Sequence, residues 1–262
     1  MNVRRFWDQV GDTFPSLKGA PSTAYYRRGE QDLFRDFGVR LEGARLFKSD
    51  LWDEAKNTEI LLWAAQRGAR VFAVDISRPI LCQAKTSMSG YGTGLGIGDI
   101  RFLPFLSSSM DLIYSMGTIE HFPEYRQALA EMYRILKPGG LAIIGVPNKM
   151  DPFLRPLLVS FLRLFHAYHY GREASFTPGQ LRRMLEDAGF ECKAVSGLLF
   201  MPGWLRMLDL LLHTRNSILS TLTKPFIAFF AFLHRRFPAV RRHGYLLAML
   251  AEKPMGMETL VK

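Results

Sequence analysis

A doubly wound α/β fold with a mostly parallel sheet follows from three features of the sequence. The stretch Gly68-Ala69-Arg70-Val71-Phe72-Ala73-Val74-Asp75-Ile76-Ser77 is a short β-branched and aromatic run with a glycine ahead of it and a carboxylate at its end. Such a run suits a strand buried on both faces. Ile60-Leu61-Leu62-Trp63-Ala64-Ala65, just before it, suits a helix packing back on the sheet. Further apolar runs at residues 110–116 and 141–148 alternate with helical stretches, the rhythm of βαβ units. In that arrangement an acid at the end of a strand, here Asp75, stands where nucleotide binders accept hydrogen bonds from ribose hydroxyls. The alternative is a solvated carboxylate in a turn.

The chain has 262 residues, which suits one α/β domain with room for insertions, and its 48% hydrophobic content allows a large core. Cys82 and Cys192 are the only cysteines and have no metal-type spacing, so neither a disulfide framework nor a zinc site is expected. A reducing cytoplasm is the expected home. Residues 1–8 contain no apolar stretch of the secretory kind. A net charge of +10 favours an anionic partner, nucleic acid or phospholipid.

In order, residues 4–10 predict a short amphipathic helix and residues 14–23 a Pro/Gly/Ser loop. Tyr25-Tyr26-Arg27-Arg28-Gly29-Glu30 leads into Leu33, Phe34 and Phe37 at helical spacing. This aromatic and basic cluster either lies over a cofactor or forms an exposed helix start. Residues 45–49 predict the first core strand. A phosphate-binding fold would place a glycine-rich turn after it, but residues 50–58 contain no glycine. They contain Asp50, Asp53 and Glu54, which suit a positively charged ligand far better than a pyrophosphate. Asp53 is also a credible N-cap.

Residues 79–88 predict a helix. The glycine-rich segment 90–98 has no G-x-G-x-x-G register and precedes a strand, so it predicts a turn entering a weak strand that ends at Asp99-Ile100. Residues 110–116 give the next strand, followed by a strand-to-helix turn through Glu120 and His121. Leu129, Met132, Tyr133 and Leu136 share a helix face, and Lys137-Pro138-Gly139-Gly140 is expected to end that helix before the strand at 141–148.

The order of these motifs resembles the class I S-adenosylmethionine-dependent methyltransferases, in particular the small-molecule, ubiquinone-biosynthesis-like type. The matching residues are Val71 to Ser77, Asp99-Ile100 with Leu103-Pro104-Phe105, Asp111-Leu112-Ile113 leading to Ile119-Glu120-His121-Phe122, Leu136-Lys137-Pro138-Gly139-Gly140, and Ser175-Phe176-Thr177-Pro178-Gly179-Gln180-Leu181 with Leu185 and Ala188-Gly189-Phe190. They cover residues 45–195. The resemblance implies a Rossmann-like, seven-stranded, mostly parallel sheet with a reversed last strand, and S-adenosyl-L-methionine as cofactor. It implies Asp75 on the ribose, Ile76 and Ile100 near adenine, Asp99 at the adenine amino group, and Ser115 and Met116 below the methionyl part. The first motif departs from the family's acid followed by a Gly-x-Gly loop, although similar enzymes with a Lys-Thr-Asp-Leu-like turn exist. Asp50 or Glu54 is expected to face the cofactor's ammonium, with Tyr26 or Arg27 closing over its carboxylate. His121 is the candidate general base, the alternative being a helix-start histidine bonded to backbone. No metal is expected, because Met116 stands where some quinone-precursor relatives have the first acid of a metal site. His166 and His169 either border an acceptor pocket or sit solvated on a helix.

The expected organisation is a single domain, residues 1–262. It has an N-terminal helical cap (1–40) and helical insertions at 150–175 and 200–243. The insertions form either a lid over an apolar acceptor pocket or a face resting on anionic lipid at the inner side of the membrane. The Phe-rich run 225–233 is too short to span a bilayer. The function expected is methyl transfer to a small, apolar or lipid-linked acceptor. The alternatives are an RNA methyltransferase, disfavoured by the absence of an Asn-Pro-Pro-Tyr-type turn, and a non-catalytic scaffold, favoured by the missing glycine loop.

Overall fold

The computed structural model describes residues 3–165, 171–216 and 218–255. His166 and His169 lie outside the described residues. The elements are α1 (Val3–Thr13), α2 (Pro21–Asp36), β1 (Arg45–Lys48), α3 (Trp52–Lys56), α4 (Ile60–Ala65), β2 (Arg70–Asp75), α5 (Arg78–Ser87), β3 (Thr93–Ile97) and β4 (Met110–Met116). They continue with α6 (Tyr125–Ile135), β5 (Leu136–Pro147), α7 (Arg155–Leu164), α8 (Pro178–Asp187), β6 (Glu191–Leu198), α9 (Gly203–Arg215), α10 (Lys224–Arg236) and β7 (Leu246–Glu252). The strands form one sheet in the order β3-β2-β1-β4-β5-β7-β6, and β7 alone runs antiparallel to its neighbours β5 and β6. This is the expected seven-stranded sheet with its last strand reversed.

Period-two alternation splits the core into two layers. Leu46, Leu112, Tyr114 and Ile143 face one side of the sheet, and Phe47, Ile113, Ala142 and Ile144 the other. The first layer is closed by Phe34 of α2 and by Ile60 and Leu61 of α4. The second is closed by Leu129 and Met132 of α6 and Leu181 and Leu185 of α8. Each fully buried Leu, Ile, Phe or Met among them stabilises the fold by about 1.5–3 kcal/mol.

Three local expectations are corrected. The loop assigned to residues 14–23 ends early, because α2 starts at Pro21, whose fixed φ suits a first helical turn. Asp53 does not cap α3: the Asp50 carboxylate accepts the Trp52 N–H (3.1 Å), and Asp53 turns inward. Lys137-Pro138-Gly139-Gly140 does not cap α6. The helix stops at Ile135, and Leu136 already pairs with Met110 as the start of β5. Lys137 instead pairs with Asp111, and the Gly139 N–H donates to Lys253 O (2.7 Å).

Candidate active site

A cavity of about 1040 Å³ opens over the carboxyl ends of β1, β2, β3 and β4. The sheet order reverses between β1 and β4, so this is the topological switch point where open α/β sheets bind ligands. Its floor carries an acid after each of three adjacent strands: Asp50 after β1, Asp75 at the end of β2, and Asp99 after β3. Trp7 of α1, Tyr26 of α2, Leu158 and Val159 of α7, and Met207 and Leu211 of α9 line the rest. The volume is at the upper end of the usual range for small-molecule sites, about 300–1,000 Å³.

Asp75 is fixed by backbone. One carboxylate oxygen accepts the Leu51 N–H (2.9 Å) and the other the Ser77 N–H (2.8 Å). Burial pushes its carboxyl up to about 7 despite these two bonds. Asp99 behaves oppositely: burial works to raise it, but the Arg101 guanidinium, 2.6 Å away, outweighs that and holds it below the usual carboxylate range. Ile76, Gly98 and Ile100 line the cavity beside these acids.

The turn after β1 is organised by a residue that sequence reasoning passed over. Lys48 is 0% exposed, and its ammonium lies 2.8 Å from Asp50, 3.1 Å from Asp53 and 3.4 Å from Glu54. Burial acts against its charge, but the surrounding carboxylates outweigh it and raise the lysine above its ordinary range. Part of the negative charge expected to meet a cationic ligand is thus balanced from within. Glu54 does not line the cavity: it is fully buried, and its other oxygen accepts the Leu61 N–H (2.8 Å). Burial raises Glu54 to about 7, against the pull of Lys48. Asp50 and Asp53 are the two acids of this turn that reach the cavity wall.

Two more expected contacts are displaced. Arg27 does not reach the cavity lining; its guanidinium donates to Thr58 O (2.6 Å) and to Glu59 (2.7 Å). Those bonds, with Lys18 at 2.9 Å from Glu59, hold a residue whose backbone is left-handed (φ 58°). Ser115 is buried behind the wall, 2.9 Å from Ser49 Oγ. Ser49 and Thr118 take the lining positions, and the Thr118 hydroxyl donates to Asp50 (2.8 Å). Tyr26, Ile76, Ile100 and Met116 do line the cavity.

Arg206 of α9 supplies a cation not anticipated from sequence. It is only 8% exposed, lines the cavity, and has one guanidinium nitrogen, Nη1, buried without a hydrogen-bond partner. Its guanidinium carbon sits 5.3 Å from the Tyr26 ring and 5.7 Å from the Tyr245 ring. An unmade hydrogen bond on a buried guanidinium is costly unless a planar anion completes it. Arg155, also in the lining, is by contrast paired with Glu173 (2.5 Å). Asp209, one helical turn on from Arg206, accepts the Ser22 N–H (2.8 Å) at the start of α2 and so anchors α9.

Beside these lie Glu120 and His121. Glu120 is buried with Oε2 unpartnered, and burial together with nearby Glu173 raises it well above the carboxylate range. His121 Nδ1 is 2.7 Å from Arg172 O, which assigns the ring proton to Nδ1 and leaves Nε2 as an acceptor. Burial lowers its pKa, so the ring is neutral at pH 7. Trp7 packs edge-on against it (5.1 Å). Among the described residues no group of His, Cys, Asp and Glu is arranged to hold a metal ion.

A methyltransferase domain family matches residues 57–144. A probable S-adenosylmethionine-dependent methyltransferase of Mycolicibacterium smegmatis is 30% identical over 106 residues, 40% of this chain and 38% of that protein. The demethylmenaquinone methyltransferase of Protochlamydia amoebophila is 30% identical over 142 residues, 46% of this chain and 59% of that protein. The chain thus spans less than two thirds of the length of these relatives. Among solved structures, the complex between the Haloferax volcanii Trm112 methyltransferase activator and the putative methyltransferase aligns with a TM-score of 0.65 and 18% identity, covering 97% of this chain and 98% of that one. By sheet order, by its motifs and by the domain matched over residues 57–144, the chain carries a methyltransferase domain and is similar to the class I S-adenosylmethionine-dependent methyltransferases.

Proposed function

We propose that the protein transfers the methyl group of S-adenosyl-L-methionine to a small acceptor with an apolar, lipid-linked body. One observation carries this: a single cavity is lined both by acids at three adjacent strand ends and by apolar side chains of α7 and α9. The residues fit the cofactor. Asp75 keeps acceptor capacity for the ribose hydroxyls, and Ile76 and Ile100 suit the adenine faces. Asp50 and Asp53 suit the ammonium, and the unpartnered Nη1 of Arg206 suits the carboxylate. The demethylmenaquinone named for one relative supports a lipid-linked acceptor.

Bound in the cavity, the cofactor supplies a methyl carbon whose bond to sulfur breaks as the bond to the acceptor's nucleophile forms, leaving S-adenosylhomocysteine. The protein's part is to orient the acceptor, exclude water and take a proton where the nucleophile carries one. Neutral His121, with Nε2 unprotonated, is the group for that proton. The apolar Leu158 and Val159 of α7 help keep water from the cavity.

Calorimetry with S-adenosylmethionine tests the reading. Binding weakened at least about tenfold (about 1.4 kcal/mol) by Asp75→Ala supports it. Absence of binding to the wild-type protein overturns it in favour of a non-catalytic scaffold.

A further inference from the structure

The helices added to the sheet are built inside out. A helix on a soluble protein turns its polar face to water. On α9 the buried residues include Arg206 and Asp209, whereas Trp204, Met207, Leu208 and Leu211 are exposed. Their spacing places them on one outward stripe. On α7, Arg155 and Val159 are buried and Leu157, Phe161 and Leu164 are exposed. On α10, Ile227, Ala231 and His234 are buried and Phe226, Phe229 and Phe232 are exposed. α7 packs on α9, and α9 reaches α10 through the 3₁₀ turn Leu219–Thr223. Apolar surface on this scale is uncommon on a protein with no partner for it.

Charge identifies the partner. From residue 210 to residue 243 there is no Asp or Glu, but there are Arg215, Lys224, Arg235, Arg236, Arg241 and Arg242. Lys224 begins α10 and Arg235 and Arg236 end it, and all three are exposed. Arg241 is paired with Asp36 of α2, but apolar side chains flanked by the exposed Lys224, Arg235 and Arg236 match the acyl region and headgroups of an anionic bilayer. No helix among the described residues is long and apolar enough to cross a membrane, so the match is to its surface.

The same face also meets the cavity. Met207, Leu208 and Leu211 are both exposed and part of the cavity lining. We propose that the outward faces of α7, α9 and α10 dock on an anionic lipid surface, and that the rim formed by α9 lets an amphiphilic acceptor pass from the bilayer into the cavity. The passage of an acceptor rests on the methyl-transfer reading; the docking does not.

Vesicle flotation of the full chain tests this. The protein is expected to float with phosphatidylglycerol vesicles, to stay behind with phosphatidylcholine vesicles, and to be released by high salt. The pair Phe161→Glu and Phe229→Glu, both at exposed positions outside the cavity lining, is expected to abolish flotation while calorimetric binding of S-adenosylhomocysteine is kept. A wild-type protein that fails to float with anionic vesicles overturns the proposal, as a surface meant for a protein partner would. So does flotation of the double variant at the wild-type level, or equal flotation with both lipids. Loss of nucleoside binding with flotation intact overturns the methyl-transfer reading and leaves the docking surface standing.

Discussion

Replacing Lys48 with Met removes the ammonium that pairs with the carboxylates of Asp50, Asp53 and Glu54, at 2.8, 3.1 and 3.4 Å. The side chain keeps nearly its length, so the change is chiefly electrostatic. Lys48 and Glu54 are fully buried, and water cannot replace the lost cation. Removing one partner of a buried ion pair costs about 3–5 kcal/mol, a large share of the roughly 5–15 kcal/mol that holds a domain folded. The cost must depend on pH. The raised Glu54, at about 7, contributes stability that is present below the ordinary carboxylate value and lost as pH rises through 7. Without Lys48 only the Leu61 N–H opposes that rise, so the loss deepens on the alkaline side. Urea unfolding at about pH 8 and about pH 5.5 is expected to show the full 3–5 kcal/mol difference at the higher pH and a clearly smaller one at the lower. A difference under about 1 kcal/mol at pH 8, or one that is the same at both values, refutes the view that Lys48 neutralises this turn.

Two further outcomes are expected. Arg206→Met should weaken S-adenosylhomocysteine about tenfold or more, the value of a charge-assisted hydrogen bond of about 1.5–3 kcal/mol, while 5′-methylthioadenosine, which lacks the carboxylate, should bind as to wild type; equal weakening of both by calorimetry contradicts the carboxylate role. Cofactor affinity should fall about tenfold between pH 8 and pH 6, because a ribose-bearing cation selects ionised Asp75, whose carboxyl sits at about 7 in the free protein. By the same sign, Asp75 stabilises the free protein below the ordinary carboxylate range and loses that contribution as pH rises through 7. Asp75→Asn should flatten the affinity profile, and an unchanged slope in that variant rules Asp75 out as the titrating group.

The sheet was legible because its strands carry periodic signals. The run ending at Asp75 is apolar on both faces, and the helix at Ile60 to Ala65 falls where the pattern puts it. The acids at strand ends were legible for the same reason, since the end of a strand is fixed by the end of its apolar run. What was missed has one physical source: charge folded inward. A lysine ending a four-residue strand reads as solvated, yet Lys48 shares the inward face of Leu46, two residues before it, and three acids follow. That period-two position was the available signal. Arg206 is hidden in a leucine-rich helix whose sequence does not say which face turns inward; Asp209, tied to the start of α2, turns the charged face of α9 in. Glu54 and Arg27 are each one of two residues that suit the ligand by residue type, Asp50 and Tyr26 being the others, and pairing with Lys48 and Glu59 draws them away from the cavity lining.

The most direct measurement is a crystal structure with S-adenosylhomocysteine. The expected pose has both ribose hydroxyls within hydrogen-bond distance of Asp75, adenine between Ile76 and Ile100, and the amino-acid end between Asp50 and Arg206. A nucleoside bound outside this cavity, or inside it with its ribose more than about 4 Å from Asp75, contradicts the account.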